Sequence, residues 1–236
     1  MCGRYAAGRS TDELADAFDA VDRTADEVGA SFNVAPGTAV RAVVASPPAQ
    51  PDQPDQPGGS RRRELRALRW GLVPPWADRP QVGARMINAR VETVAGKPVF
   101  RGPLAARRCL VPADGWFEWR DRRPYFITPD DGSVLALAGL YEHWNRGPEP
   151  LTSCAIITTA AVGRLTEVHD RMPLLIPAAR WSEWLDPDCP VEELLAPSSL
   201  AMVARLAIRP VGPAVGDVRR DGRELIVEVP PPSTLF

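Results

Sequence analysis

The second residue of this chain is a cysteine, followed by Gly3 and Arg4. Initiator methionine is commonly removed when the next residue is small, so loss of Met1 would leave an N-terminal cysteine. Its α-amine has a reference pKa of about 7.7–8.0 and its thiol one of about 8.5, so both are partly nucleophilic near neutrality. The two groups sit two carbons apart, and an aldehyde is the natural target of such a pair. The amine condenses to a Schiff base, as lysine does in covalent catalysis. The thiol then adds to the same carbon and closes a five-membered thiazolidine. Gly3 permits close approach of a ligand. Arg4 offers a bidentate donor suited to phosphate. A cysteine at position 2 is, by itself, more often incidental.

Other chemistry-bearing residues are few. Glu118 lies among Trp116, Phe117 and Trp119. Burial among aromatics would raise its pKa into the range that suits proton shuttling; pairing with an arginine on a strand face is the ordinary alternative. His169 is followed by Asp170 and Arg171, which favours a surface or site position, whereas His143 reads as structural. Cys109, Cys154 and Cys189 read as small hydrophobes or incidental thiols. Four cysteines and two histidines without paired short spacing give no metal pattern. A phosphate loop and a dinucleotide fingerprint are also missing, so no cofactor, metal or nucleotide, is expected.

The frame that must position these residues spans 236 residues, 44% hydrophobic and 25% charged. That is a soluble globular composition, which excludes a mainly disordered, collagenous or coiled-coil protein. No apolar run approaches the roughly 18 residues of a membrane span, and no apolar leader segment follows Met1. The expectation is a cytoplasmic protein with reduced thiols. Residues 60–125 hold 15 Arg or Lys against 6 Asp or Glu, and the remainder holds 13 against 24. A basic middle in an acidic chain suggests a face for a polyanion, with a merely solvated arginine-rich surface as the alternative. Arg61, Arg62 and Arg63 read by default as such a solvated run, with loose phosphate contacts as the alternative.

Ser10 and Glu13 have capping-box spacing and predict a helix over 10–20 with Leu14, Ala17 and Phe18 on one face. Strands are expected over 39–45, 65–72, 124–128, 134–141, 154–159 and 224–229, and helices over 178–185 and 191–196. Residues 46–60, with five prolines, read as a loop inserted between two strands of one sheet. Residues 230–236 read as a flexible tail. Many short strands with few helices predict one α+β domain over 1–236. Its centre would be a curved, barrel-like, mainly antiparallel sheet with short peripheral helices.

Five segments follow Met1-Cys2-Gly3-Arg4 in order. They are Asn33-Val34-Ala35-Pro36-Gly37, then Arg69-Trp70-Gly71-Leu72-Val73-Pro74-Pro75-Trp76, then Ile87-Asn88-Ala89-Arg90-Val91-Glu92-Thr93. Arg108 to Trp119 and Val168-His169-Asp170-Arg171-Met172-Pro173 complete the set. Together they resemble the SOS-response-associated peptidase (SRAP) family, whose members covalently trap abasic sites in DNA. The likeness runs from Met1 to about Pro177.

The resemblance implies roles. Cys2 would be the nucleophile, Asn88 would orient its amine or thiol, Glu118 would move protons, and His169 would protonate a sugar oxygen. Arg4, Arg90 and Arg171 would hold phosphates, Thr158 would lie near the site, and Trp76 would stack on bases. Trp70, Trp116 and Trp119 stay in the core. The implied activity is capture of abasic single-stranded DNA as a thiazolidine by a monomer, nucleoid-associated when bound, with self-processing at Met1 allowed. Relatives often carry an asparagine-rich stretch where Gly216 to Asp221 stands here, so no DNA contact is assigned to that segment. Two alternatives stay open: an N-terminal-nucleophile amidohydrolase, which also begins Met-Cys-Gly but whose later motifs are missing, and a non-covalent DNA-binding module.

Overall fold

The computed structural model describes residues 2–25, 27–46 and 61–230. Its strands are β1 (Tyr5–Ala7), β2 (Ala20–Asp22), β3 (Ser31–Val34), β4 (Ala39–Ala45), β5 (Arg63–Trp70), β6 (Asn88–Arg90) and β7 (Arg108–Ala113). They continue as β8 (Gly115–Arg120), β9 (Arg123–Pro129), β10 (Leu135–Trp144), β11 (Leu151–Ala160), β12 (Arg171–Pro173) and β13 (Leu206–Pro210). The helices are α1 (Thr11–Phe18), α2 (Pro98–Ala106), α3 (Trp181–Leu185) and α4 (Leu200–Ala204).

Strands β5, β4, β7, β10 and β11 pair antiparallel in that order. A parallel pairing of Cys154 with Trp70 then returns β11 to β5 and closes a five-stranded barrel. Closure removes the edges that an open sheet would expose. Strands β2, β6 and β12 extend it outside the ring. A second, antiparallel sheet runs β13-β9-β8-β1-β3.

Barrel strands are apolar on both faces because two layers cover them. In β4, Val40, Ala42 and Val44 join an apolar layer shared with Tyr5 and Trp116 of the second sheet. Val43 points the other way, to a layer completed by Leu14 and Phe18 of α1, Phe100 and Leu104 of α2, and Trp181 and Trp184 of α3. Period-2 side-chain direction thus explains why apolar residues fall on both faces of β4, interrupted by buried Arg41, which donates to the Ala7 carbonyl at 2.9 Å. The barrel and short peripheral helices are the α+β architecture expected.

The capping box of α1 is formed in both directions: Ser10 Oγ accepts the Glu13 N–H at 3.2 Å, and Glu13 accepts the Ser10 N–H at 2.7 Å. Ala17, expected on the buried face, is exposed; Ala15 is the partly covered alanine. The helix stops at Phe18 because Asp19 turns left-handed. The strand expected over 65–72 lies at Arg63–Trp70, ended by Gly71 at φ +128°. The segment 178–185 divides into a 3-10 turn and α3, and 191–196 holds only one 3-10 turn. The expected strand over 224–229 is instead a 3-10 turn at Arg223–Ile226, with only a single bridge between Val211 and Glu228. Leu225 is buried there but Val227 is 56% exposed, so the apolar run has no neighbouring strand to cover it. The expectations for 47–60 and 231–236 lie outside the described residues; on either side of the first, β4 and β5 pair as a hairpin.

Candidate active site

The start of the chain is pinned by its neighbours. Tyr5, 1% exposed, meets Trp70 edge-on with ring centroids 5.3 Å apart. It pairs with Val34 on β3 and Trp116 on β8, and Phe117 donates its N–H to the Arg4 carbonyl at 3.0 Å. Cys2 is therefore carried into the apolar layer between the sheets, where it is fully buried. Burial, and then the charge of nearby Glu118, push its thiol well above the usual range.

Asn88 reaches Cys2 from β6. A Cβ on Gly71 would lie 2.8 Å from the Gly83 carbonyl oxygen, so only glycine lets these two backbone stretches cross. The crossing is tied by the Leu72 N–H donating to the Met86 carbonyl (3.1 Å) and the Ile156 N–H to the Ile87 carbonyl (3.0 Å). Asn88 then pairs in parallel with Ile156 of β11, and its side-chain amide donates to the Cys2 carbonyl at 2.8 Å. The Asn88 amide oxygen is buried without a hydrogen-bond partner among the described residues.

Glu118 comes from the middle of β8, opposite Tyr125 of β9. It is 3% exposed, and burial pushes its carboxyl up to about 7. His169 follows the 3-10 turn at Gly163–Glu167, and its Nε2 stands 3.9 Å from Glu118 Oε2. The Arg171 backbone N–H donates to His169 Nδ1 at 2.9 Å, which assigns the neutral ring's proton to Nε2, toward Glu118. Asp170 Oδ1 lies 2.8 Å from the same Nδ1 and can take its proton when the ring is charged. Burial lowers the His169 pKa. Burial thus moves the two groups in opposite directions, the carboxyl up to about 7 and the imidazole down, so that near neutral pH the carboxyl can still carry a proton. A carboxyl and an imidazole moved in these directions make one candidate acid and one candidate base.

Arg171 lies on β12, where it pairs with Ala160 of β11. Its guanidinium donates to the carbonyl of buried Thr158 (2.7 Å) and grips Glu92 with both outer nitrogens, at 2.5 and 3.1 Å. Four of the expected site residues, Cys2, Asn88, Glu118 and His169, thus converge, and Arg171 joins them through its backbone.

Residues 1–218 match the family model for SOS response associated peptidase (SRAP). The chain belongs to the SRAP family. It is 32% identical to the abasic site processing protein YedK of Escherichia coli, over 97% of this chain and all of that one. It is 38% identical to the abasic site processing protein YoaM of Bacillus subtilis, over 79% of this chain and 80% of that one. A solved structure from Bacteroides thetaiotaomicron shares the fold, with a TM-score of 0.77, 21% identity, and coverage of 97% of this chain and 100% of that one.

Not every SRAP residue expected at the site lies free to act there. Arg4 donates to the Asn33 amide oxygen (2.7 Å) and to the carbonyls of Val215 (2.8 Å) and Gly216 (3.3 Å). In this state it ties β1 to the 213–217 turn. Trp76 is 53% exposed and Arg90 is exposed, so both can meet a ligand. Trp70 and Trp116 are core as expected, and Trp119 is partly buried against Phe117 and Phe126. Cys109 and Cys154 are buried; Cys189 is not fully so.

Asn33 is the residue whose role sequence reasoning missed. Its side-chain amide also donates to the carbonyls of Asp217 (3.0 Å) and Arg220 (2.8 Å). It therefore folds the 215–220 segment over the chain start. Its position in Asn33-Val34-Ala35-Pro36-Gly37 marked it for notice, but no local signal names partners more than 180 residues away.

Proposed function

We propose that this SRAP protein recognises abasic sites in single-stranded DNA and captures them covalently through Cys2. Its relatives' names, abasic site processing proteins, and identities of 32–38% over most of the chain support that class of substrate. The observation that carries the chemistry is the meeting of Cys2 with Asn88 and the Glu118–His169 pair.

The reaction starts once Met1 has been removed, by an aminopeptidase or by Cys2 itself. The α-amine attacks the aldehyde carbon of the ring-opened sugar and forms a carbinolamine. Loss of its hydroxyl as water, with a proton from the acid pair, gives the Schiff base. The thiol sulfur then bonds to that same carbon while its proton returns to a base. One aldehyde and one aminothiol become one thiazolidine and one water. The raised thiol pKa fits this order: a neutral thiol leaves the first addition to the amine. The buried amide oxygen of Asn88, beside the Cys2 backbone, is suited to accept a hydrogen bond from that amine.

Glu118, its carboxyl raised to about 7 and so still carrying a proton in a good part of the molecules near pH 7, is the acid for water loss, and His169 serves ring opening of the sugar. Arg90 and Arg171 would hold the flanking phosphates, and Trp76 would stack on an adjacent base. A missing base leaves the sugar unstacked at little cost, which favours the lesion over intact sequence.

The test is denaturing electrophoresis of protein shown by mass spectrometry to begin at Cys2, after incubation with single-stranded DNA bearing one abasic site. A shifted band that needs both Cys2 and the lesion is expected. No band from correctly processed protein sinks the crosslinking claim. Release of ammonia from glutamine would then favour an amidohydrolase, and salt-sensitive binding alone a non-covalent module.

A further inference from the structure

Arg171 is expected to hold a phosphate, yet the outer edge of its guanidinium is already occupied. Nη1 meets Glu92 Oε1 at 2.5 Å and Nη2 meets Oε2 at 3.1 Å, a fork-to-fork grip. From the inner side Nη2 is anchored on the Thr158 carbonyl at 2.7 Å. The arginine side chain is 11% exposed and the glutamate side chain 49%, so solvent reaches this pair mainly through the carboxylate. The positive charge of Arg90, itself exposed, also acts on Glu92. The arrangement is one exposed carboxylate set against the arginines expected to take DNA phosphates.

A carboxylate and a phosphodiester present the same pair of anionic oxygens to a guanidinium fork. They cannot both fill it. We infer that Glu92 is a specificity-determining residue: it occupies the Arg171 fork in the free protein and must yield it to a DNA phosphate. The inference rests on the DNA reading given above. The consequence is a weaker grip on ordinary single strands. Undamaged DNA, with no aldehyde to capture, leaves before Glu92 has been displaced for long, whereas an abasic site is retained by the covalent bond. Selectivity is then set partly by a built-in competitor for the phosphate and only partly by recognition of the lesion.

The test uses the full chain and an undamaged single-stranded oligonucleotide, so that no adduct can form. Affinity is measured by fluorescence anisotropy across a salt series for wild type, Glu92→Gln and Glu92→Ala. Both Glu92 variants should bind roughly five-fold more tightly at low salt. One additional phosphate contact should steepen the slope of log K against log salt by about 0.7. The gain should disappear when Glu92→Gln is placed in an Arg171→Ala or Arg171→Gln background, because no fork remains to be freed.

Unchanged or weaker binding by both Glu92 variants would overturn the inference and make Glu92 a positioning residue for Arg171. An equal gain in the Arg171-substituted backgrounds would also overturn it, since simple charge repulsion predicts that result. If wild type and variants alike fail to bind DNA, the functional reading itself falls and this inference with it.

Discussion

Three cysteines of this protein are wholly buried, and burial raises all three thiols: Cys2, Cys109 and Cys154, the last to about 12. By thiol pKa alone none would be chosen as a nucleophile. Cys109 and Cys154 sit within β7 and β11, paired with Gly139 and Tyr141 of β10, and apart from each other's thiol only burial shapes Cys109. Cys2 instead stands at the chain start, with Glu118 acting on its thiol and Asn88 on its carbonyl. What would separate it, in the function proposed, is the backbone amine that removal of Met1 would free. If that amine adds first, as proposed, the thiol need not ionise beforehand. A dry, protonated thiol is compatible with the chemistry so long as an acid–base pair lies beside it.

The largest effect follows from that contrast. Cys2→Ala should abolish the denaturant-resistant DNA adduct. Cys154→Ala should keep it, at a stability cost of about 1 kcal/mol for the lost packing. Loss of the adduct in folded Cys154→Ala protein would break the distinction between the two regions.

Next in size, Glu118→Gln should slow adduct formation roughly 100-fold, the ordinary share of a general acid. Single-turnover gel kinetics would read this, and a change below two-fold would remove Glu118 from the proton path. The same substitution has a separate thermodynamic signature. Burial raises the Glu118 carboxyl from 4.5 to about 7, so its favourable share of stability is complete below about pH 4.5 and is lost as pH rises through about 7. Wild type should therefore lose stability over that window, and Glu118→Gln should not. The variant's relative gain should approach about 3 kcal/mol by pH 8.5, measured by denaturant titration at each pH. A flat difference across that range would mean that the carboxyl is not held neutral by burial.

The smallest effect lies in the other region. A methyl group added at Gly139 would fall 2.7 Å from Cys109 Sγ and 3.3 Å from Val111. Gly139→Ala should cost about 2 kcal/mol by overpacking, seen as a lower Tm, with adduct formation intact in the folded fraction. A wild-type Tm would show that the barrel around Cys109 has room to adjust, and would weaken its contrast with the tightly held Cys2.

Much of the frame is legible in the residues alone. The Ser10–Glu13 box announced α1 because capping is a local bond, completed within four residues. The run 39–45 announced β4 by its length and apolar content. Residues 224–229 carry a similar apolar run and form no strand, since apolar content shows which side chains could be covered and not whether a neighbouring strand arrives to cover them. Strand β7 has all six residues buried and therefore shows no alternation to read.

For the site, residue chemistry alone pointed to Cys2, while Asn88, Glu118 and His169 were marked by the resemblance of their ordered segments to the SRAP family. The geometry was not contained in that order. Asn88 meets Cys2 only because Gly71 and Gly83 let two loops cross. Arg4, next but one to Cys2, turns away to carbonyls 211 and 212 residues distant. Glu92 and Arg171 close on each other across 79 residues. Residue types and their order named the candidate groups. Folding settles which of them meet, which carboxyl is pushed up by burial and which guanidinium is already occupied, because desolvation and long-range pairing exist only once the two sheets have packed around Cys2.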